Sequence, residues 1–337
     1  MAADARDQAR EIGERLARAG LAAPWAESVV VDLANDPPLG RSLAAIAVEE
    51  SARVVAGIGA AMIASRARSG VIAVGDAAAH KAIDAALREA GSTTVRVERV
   101  PDVYPTRGLD RDLGCHYAWI LDGERLLDLE AAAFATARAP RRVTVAGAVR
   151  TPSVVSVPAG APLAIEQLVA ACGGATVEPW LPLDGGAWSG RLADPEAPPA
   201  TALVLVLAAD HALVQRARVS VEDQLRRAAS ACEGCRLCTD ACPVYLDGSA
   251  LAPHQIVASL AQGLDGLAHL AGAAACIHCG VCDATCPATI IPAALVAAVK
   301  SRLPPMLEAP QRGDSHPDRG SRRISRELLL LRAGLGG

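Results

Sequence analysis

The sequence predicts a multi-domain α/β chain in which an open α/β domain is followed by a small β-rich module and then by a helical, cysteine-rich domain. Three observations predict this order. Apolar strand patterns alternate with helix patterns up to residue 138, two short strands and a short helix follow, and one four-cysteine spacing occurs twice beyond residue 230. A length of 337 residues fits two or three domains.

The first domain, predicted over residues 28–138, carries the signals of a parallel α/β unit. Its predicted strands are SVVVDL (28–33), VIAVG (71–75), TTVRVERV (93–100) and AWIL (118–121). Ser42 is predicted to cap a long Ala-rich helix that ends near Gly70, and Asp76 to cap a helix that ends at about Ala90. A further helix is predicted around 124–137. Strands and helices at this spacing predict a parallel sheet.

The second domain, predicted over residues 139–200, has a different pattern. RRVTVAGAV (141–149) and SVVSVPAG (153–160) are two short strands around a Thr-Pro turn. A short helix over 163–171 follows and is closed by the glycines of CGG (172–174). Strand, turn, strand and helix in this order predict a β-grasp module.

The third domain, predicted over residues 201–306, is helical around the cysteines. A helix over 219–230 leads into the first motif, and a helix over 291–303 follows the second. Between the motifs, an apolar helical stripe consists of Ile256, Leu260, Leu264 and Leu267. The termini are predicted to be an amphipathic helix within residues 1–27, and a polar linker followed by an amphipathic helix within 307–337.

The cysteine motifs are CEGCRLCTDACP (232–243) and CIHCGVCDATCP (276–287). Each has the spacing C-x2-C-x2-C-x3-C-P, which is typical of bacterial ferredoxins that bind two [4Fe–4S] clusters, with the fourth cysteine of each run bound to the other cluster. The predicted ligands of the first cluster, site one, are Cys232, Cys235, Cys238 and Cys286. Those of the second cluster, site two, are Cys276, Cys279, Cys282 and Cys242. Such an exchange ties both motifs into one domain.

Two structural zinc sites are the alternative, but zinc proteins usually use two separated cysteine pairs rather than three closely spaced cysteines before Cys-Pro. His278 lies between two of the predicted ligands and is expected to be exposed or hydrogen-bonded rather than a ligand. Cys115 and Cys172 stand alone and are expected to be buried thiols.

Composition excludes several classes of function. A net charge of −4 and an aromatic content of 2% provide neither a basic surface nor stacking residues for nucleic acid. An uncharged apolar run near the C-terminus, 284–299, is shorter than a membrane-spanning helix and contains two prolines. The N-terminus has no apolar core of a secretory signal, so a reducing compartment is expected, with thiols used as ligands.

The order of domains resembles the flavoprotein family of the Rnf complex C subunit, and more closely the cobalamin reductases of propanediol-utilising microcompartments. The stretches that carry the resemblance include VPDVYPTRG (100–108), VTVAGAVRTPSVVSVPAGAPL (143–163), CGGATVE (172–178), LAPHQIVASLAQG (251–263) and RRISRELLLLRAGLG (322–336). The resemblance implies a truncated domain like that of the 51 kDa subunit of complex I, an SLBB module of the β-grasp type and a dicluster ferredoxin domain.

The resemblance also implies FMN, yet the flavin-site motifs differ in this sequence. The family's glycine-rich GRGGAGFP-type loop is missing from residues 1–30, and its Asn-x-x-Glu-x-Glu-Pro segment corresponds only to DLANDPP (32–38). Asn35 and Asp36 are weak candidates for remnants of the flavin site. We therefore expect no FMN, with FMN binding kept as the alternative, and no catalytic residue.

Three functions follow from these features. The first is an electron-transfer protein that relays single electrons through two [4Fe–4S] clusters to an acceptor. The second is an NADH-dependent cobalamin reductase that holds FMN, because the clusters alone accept no hydride. The third is an assembly subunit with structural clusters. The expected partner is a redox protein, either a flavoprotein or a corrinoid enzyme or its reactivase. The shell of a bacterial microcompartment is a further possible partner. A cytoplasmic location is expected, with the lumen of such a microcompartment as the alternative.

Overall fold

A four-stranded parallel sheet organises the first part of the chain in the computed structural model, which describes residues 2–263, 268–304 and 311–335. Its elements are α1 (Ala2–Arg18), β1 (Ser28–Leu33), α2 (Ser42–Glu49), α3 (Ser51–Ser65), β2 (Ser69–Val74), α4 (Ala77–Glu89), β3 (Val95–Arg99), α5 (Leu109–Asp112), β4 (Ala118–Asp122) and α6 (Gly123–Phe134). The strand order is β3-β2-β1-β4, and all pairings are parallel. Alternate residues of β1 pack on the helices and on the segment between β3 and β4, so both of its faces are buried. The predicted open α/β domain is confirmed.

The long helix predicted from Ser42 to Gly70 is wrong. The chain leaves the helical conformation at Glu50, which separates α2 from α3, and Gly70 already lies in β2. Arg142 of the following domain pairs with Glu49 at 2.7 Å and with Glu50 at 2.9 Å. These ion pairs fix the Glu49 and Glu50 side chains at the break between the helices. Because Arg142 is distant in sequence, the residues around Glu50 give no local signal of this contact.

A five-stranded mixed sheet forms the second part of the chain. Its elements are β5 (Arg141–Gly147), β6 (Ser153–Val157), α7 (Ile165–Ala171), β7 (Trp180–Asp184), β8 (Arg191–Leu192) and β9 (Leu203–Ala208). The order is β6-β5-β9-β7-β8, and α7 packs on one face through Ile165 and Leu168. The β-grasp module is confirmed. Its boundary differs from the prediction: the cysteine-rich domain was predicted to begin at residue 201, but β9 belongs to the sheet of the β-grasp module. The apolar run of β9 is buried between β5 and β7, and this pairing is non-local.

Short helices surround the cysteines in the third part. They are α8 (Ala212–Ala217), α9 (Val221–Ala231), α10 (Leu237–Asp240), α11 (Pro243–Leu246), α12 (Pro253–Ala261), a 3-10 helix (Ala268–Ala275), α13 (Val281–Thr285), α14 (Pro292–Lys300), α15 (Arg319–Arg322) and α16 (Arg326–Arg332). Ile256 of the predicted stripe is fully buried between α12 and its neighbours, whereas Leu264 and Leu267 lie outside the described residues. Among the described helices, none is long and apolar enough to cross a membrane.

Both amphipathic terminal helices pack on this chain itself. Ile12 and Leu16 of α1 are buried in the core of the α/β domain. Leu329 of α16 is fully buried against Val281 and Ala284 of α13. The C-terminal helix predicted within 307–337 is divided into α15 and α16. Each terminal helix therefore packs part of its apolar face on the chain, whereas Leu328 and Leu331 of α16 are exposed.

Candidate iron–sulfur centre

The four predicted ligands of site one surround one cavity. Cys232 follows α9, Cys235 lies in the exposed loop after it, Cys238 belongs to α10 and Cys286 follows α13. All four line a cavity of about 240 Å³, to which His254 also contributes. Burial and then the negative charges of the other three thiols raise the pKa of Cys238 to about 12. The structure thus brings the fourth cysteine of the second motif to the first three cysteines of the first motif.

The four predicted ligands of site two also come together, and they are more buried. Cys242 precedes α11, Cys276 follows the 3-10 helix, Cys279 lies in the loop and Cys282 belongs to α13. Burial raises the pKa of Cys242 to about 11, with the charge of Cys276 adding to the effect. Burial also raises the pKa values of Cys279 and Cys282, and Cys242 is among the negative charges that contribute to both. Cys242 therefore lies among the cysteines of the other motif.

The Cys-Pro pairs direct backbone N–H groups to the sulfurs. Proline has no N–H, so the donors come from the residues after it. Ala288 and Ile290 donate backbone hydrogen bonds to Cys286. Val244 and Tyr245 do the same for Cys242 and lower its pKa, against the larger effect of burial. Hydrogen bonds of this kind favour the thiolate form of cysteine and influence the properties of a metal group bound to it.

Further donors and packing contacts hold the loop of the second motif. His278 is exposed, as expected, and its backbone N–H donates to Cys276 Sγ at 3.4 Å. Gly280 has φ 73° and lies against the backbone carbonyl of Trp188, which leaves no room for a Cβ atom. The Trp188 indole in turn donates to the Leu329 carbonyl at 2.9 Å. Site two is therefore fixed by the β-grasp module and by α16 as well as by its own motif.

Sequence reasoning missed the ion pair beside site two. The Asp283 carboxylate is buried, pairs with Arg216 and accepts a hydrogen bond from the Ala293 N–H at 2.7 Å. Arg216 also lies over the Trp188 ring, with its guanidinium carbon 5.2 Å from the ring centroid. One signal for Asp283 was available, since the first motif has Thr239 at the corresponding position. The residues next to Trp188 and Arg216 in the sequence gave no signal that these two side chains lie beside site two.

The cysteines of site one have the arrangement that a cluster needs. A [4Fe–4S] cube takes one thiolate at each of four irons, so its ligands surround a volume rather than converge on one atom. Site one has that form. Within the described ranges, no group of three or more His, Cys, Asp and Glu side chains is arranged to hold one metal ion. The assignment of individual ligands stays a prediction.

The two candidate flavin residues have different surroundings. Asp36 is buried, and its oxygens accept hydrogen bonds from the Ser42 hydroxyl at 2.7 Å and from the Leu43 and Ala44 amides at 3.0 and 3.2 Å. The carboxylate, not Ser42, therefore caps α2. A phosphate would bind at such a helix N-terminus. Asp36 does not fit a flavin-binding role, because its negative charge already occupies this position.

Asn35, by contrast, lines a cavity of about 390 Å³ that reaches Cys279 of site two. Its side-chain oxygen accepts the Thr106 N–H at 3.1 Å. Tyr104 lines the same cavity; burial and then the charge of Cys279 raise its pKa to about 12. The cavity lies at the carboxyl end of β1, the edge of a parallel sheet at which α/β proteins bind ligands.

Two protein-family models match the chain. One, described as a 4Fe-4S dicluster domain, matches residues 231–290, and the other, described as an SLBB domain, matches residues 142–186. The first range contains all eight cysteines of the two motifs. The chain thus has a dicluster domain of the kind that transfers electrons.

Two curated relatives carry the name Cobalamin reductase PduS. The protein of Salmonella typhimurium strain LT2 is 32% identical over 302 residues, and that of Citrobacter freundii is 31% identical over 304 residues. Each alignment covers 82% of this chain but 65% of the relative, so the chain spans slightly less than two thirds of their length.

A solved structure of NAD+-reducing [NiFe]-hydrogenase in the H2-reduced state is also similar, with 16% identity over 89% of this chain and 59% of that chain. The TM-score of this match is 0.48. The sequence relatives and the two matched domains confirm the predicted resemblance: the chain is similar in sequence to the PduS proteins and contains an SLBB domain and a 4Fe-4S dicluster domain.

Proposed function

We propose that this chain is an electron-transfer protein that relays single electrons between a partner reductase and an acceptor. A bound [4Fe–4S] cluster supplies one-electron redox chemistry. Site one would be held by Cys232, Cys235, Cys238 and Cys286, and site two by Cys242, Cys276, Cys279 and Cys282. The observation that carries the proposal is the placement of Cys286 among the cysteines of the first motif and of Cys242 among those of the second.

The surroundings of the two sites support a relay. Cys235 is exposed, so a partner protein can approach site one closely. Site two is covered by Trp188 and α16 and has buried ligands in Cys242 and Cys282. One accessible site and one covered site within a single domain suit a chain that passes electrons between its surface and its interior.

The proposed relay needs no flavin in this chain. The absence of a flavin from the proposal is supported by the cap of α2. The negatively charged Asp36 carboxylate occupies the helix N-terminus at which a flavin phosphate would bind. Without a flavin the chain has no group that exchanges a hydride with NADH. The hydride chemistry would then belong to the partner, which we infer to be a flavoprotein reductase.

A cobalamin reductase that holds FMN is the second candidate. It is favoured by the names of the two relatives and by the cavity between Asn35 and Cys279, which has room for part of a ligand next to site two. In this candidate the electrons pass from NADH to a corrinoid.

Treatment with NADH distinguishes the electron relay from the cobalamin reductase. We expect that NADH leaves the visible absorbance of anaerobically purified protein unchanged, whereas dithionite bleaches it reversibly. Rapid bleaching by NADH alone would favour the reductase. Native mass spectrometry with excess FMN provides the control, since the relay predicts two clusters and no flavin. A chain with clusters that dithionite does not bleach would have a structural role instead.

We also propose a bacterial microcompartment as the site of action, because the resemblance in sequence extends to residues 322–336. Expression together with shell proteins tests it. Co-purification with intact shells supports the proposal, and a protein that separates completely from them contradicts it.

A further inference from the structure

The two cysteine motifs share one hydrogen bond, which holds the helix that follows each of them. In the first motif the residue after the third cysteine is Thr239, whose hydroxyl accepts the backbone N–H of His254 at 3.0 Å. In the second it is Asp283, whose Oδ1 atom accepts the backbone N–H of Ala293 at 2.7 Å. Both donors directly follow the proline that begins the helix, which is α12 in one case and α14 in the other. His254 and Ala293 therefore occupy matching positions in the two halves of the domain.

The side chains at these matching positions differ. Ala293 has a methyl group, whereas the imidazole of His254 is half-buried and lines the cavity of site one. The Nδ1 atom of this ring lies 2.8 Å from Oγ1 of Thr239, which is fully buried and is not part of the cavity wall. The Nδ1 edge of the ring is thus turned away from the cavity, and the edge that carries Nε2 faces it. The matching position beside site two has no such group.

The Thr239 hydroxyl determines which nitrogen of the His254 ring carries a hydrogen. Its oxygen accepts the backbone N–H of His254, and its own hydrogen needs an acceptor, because buried hydroxyl groups are normally hydrogen-bonded. The remaining partner of this oxygen among the described residues is Nδ1 of His254. Nδ1 is therefore the acceptor, and the neutral ring carries its hydrogen on Nε2. The described part of the chain offers Nε2 no acceptor, so this N–H is available to a group bound in the cavity.

The other polar groups at site one are not fixed toward the cavity in this way or act on one thiol. Glu233 and Arg236 line the cavity with opposite charges, but both side chains are exposed to solvent. The backbone amides of Ala288 and Ile290 donate to Cys286. The sulfurs of an iron–sulfur cluster accept hydrogen bonds, and these bonds help to set its reduction potential. A donor favours the reduced cluster, because reduction adds negative charge to the group that accepts the hydrogen bond.

We propose that His254 donates its Nε2–H to the cluster bound at site one and thereby raises the reduction potential of that cluster. Thr239 is the positioning residue, since its hydroxyl fixes both the orientation and the tautomer of the ring. His254 is a hydrogen-bond donor and not a ligand, because four cysteines already surround the cavity. The effect on the potential rests on the proposed function, whereas the hydrogen bond itself requires only a bound cluster.

Redox titration followed by EPR tests the proposal on the anaerobic, cluster-loaded full chain at pH 8. Loss of a signal in Cys235→Ala identifies site one, because Cys235 lines its cavity. His254→Phe should shift the reduction equilibrium of site one by about tenfold toward the oxidised form, which lowers its potential by about 59 mV, and should leave site two and the iron content unchanged. His254→Gln should keep the wild-type potential, because the amide has an acceptor for Thr239 and a donor for the cluster. His116→Phe, at an exposed position of the α/β domain, should change neither potential.

His254→Leu repeats the test with a smaller apolar side chain in case the phenyl ring displaces the cluster. An unchanged potential of site one in the apolar variants, an equal loss in His254→Gln, or loss of iron in all three would overturn the inference, since the last two results indicate a packing role. If neither site is reduced reversibly, the proposed electron-transfer function fails, which is a distinct result. Resonance Raman spectra of the oxidised protein then decide the inference: the shift of the iron–sulfur bands from H2O to D2O should be larger in the wild type than in His254→Leu, and equal shifts would overturn it.

Discussion

Cys242 and Cys286 are the residues that join the two motifs. Each precedes a proline, and each accepts backbone hydrogen bonds from amides beyond that proline. The proline rings fix the local backbone, so both thiols have a defined direction before anything binds to them. Because each of the two lies beside the other motif's cysteines, a change at either one should affect the site that is distant in sequence.

Cys286→Ala should damage site one and leave site two intact. The substitution removes one of the four thiols that line the cavity of site one. EPR of the reduced protein measures the result, together with an iron content that falls by up to about four atoms per chain, the content of one cluster.

Cys242→Ala should have the reciprocal effect on site two. Cys172→Ala is the matched control, because Cys172 is a buried thiol in the β-grasp core, distant from both sites. Loss of the site two signal in Cys286→Ala would show that each motif binds its own cluster and that the crossed assignment is wrong.

At the scale of elements, helix caps hold the edge of the parallel sheet. Asp36 and Asp76 follow β1 and β2, and Asp122 is the last residue of β4. The three carboxylates accept hydrogen bonds from the first turns of α2, α4 and α6. In a nucleotide-binding α/β domain, phosphates occupy such helix N-termini. Here the chain's own carboxylates occupy them.

Asp36→Ala should destabilise the α/β domain by about 2–3 kcal/mol, because the loss of a cap costs about 1–2 kcal/mol and the buried Ser42 hydroxyl loses its acceptor. Asp76→Ala should cost only about 1 kcal/mol, since Asp76 is partly exposed and caps α4 through a single hydrogen bond to Ala79. Denaturant unfolding followed by circular dichroism measures both. Equal losses in the two variants would contradict the role assigned to Asp36.

Local signals explain which elements could be predicted. β1 is a continuous apolar run, and Asp76 directly precedes its helix, so both could be read from neighbouring residues. The break at Glu50 depends on Arg142, and the place of β9 depends on pairing with β5. The cysteine spacing predicted the candidate site, but the contact between Gly280 and Trp188 arises only when distant domains pack together.

At the scale of the whole molecule, residues 311–335 connect the α/β domain to the cysteine-rich domain. Arg312 binds Asp110 of α5 at 2.5 Å and Asp247, after α11, at 2.9 Å. Arg319 pairs with Asp112 of α5, and Leu329 packs on α13. This C-terminal segment therefore fixes site two relative to the parallel sheet.

Arg312→Met should lower the free energy of unfolding by about 2 kcal/mol. Breaking a fully buried ion pair costs about 3–5 kcal/mol, but Arg312 is 31% exposed, and Asp247 keeps Arg107 as a partner at 3.3 Å. Denaturant unfolding with tryptophan fluorescence measures the change. Arg226→Met, which breaks an exposed pair with Asp223, should cause no measurable loss. Equal behaviour of the two variants would contradict a bridging role for Arg312.

The crossed cysteines also bear on the order in which a ribosome completes the two sites. Translation produces Cys232 first, yet site one lacks its last ligand until Cys286 has been made. Site two needs Cys242, Cys276, Cys279 and Cys282, so its ligand set is complete earlier. With the proposed ligands, the motif synthesised first belongs to the site finished last. Iron–sulfur assembly factors would therefore encounter a nascent chain in which three thiols of site one are present before the fourth has been synthesised.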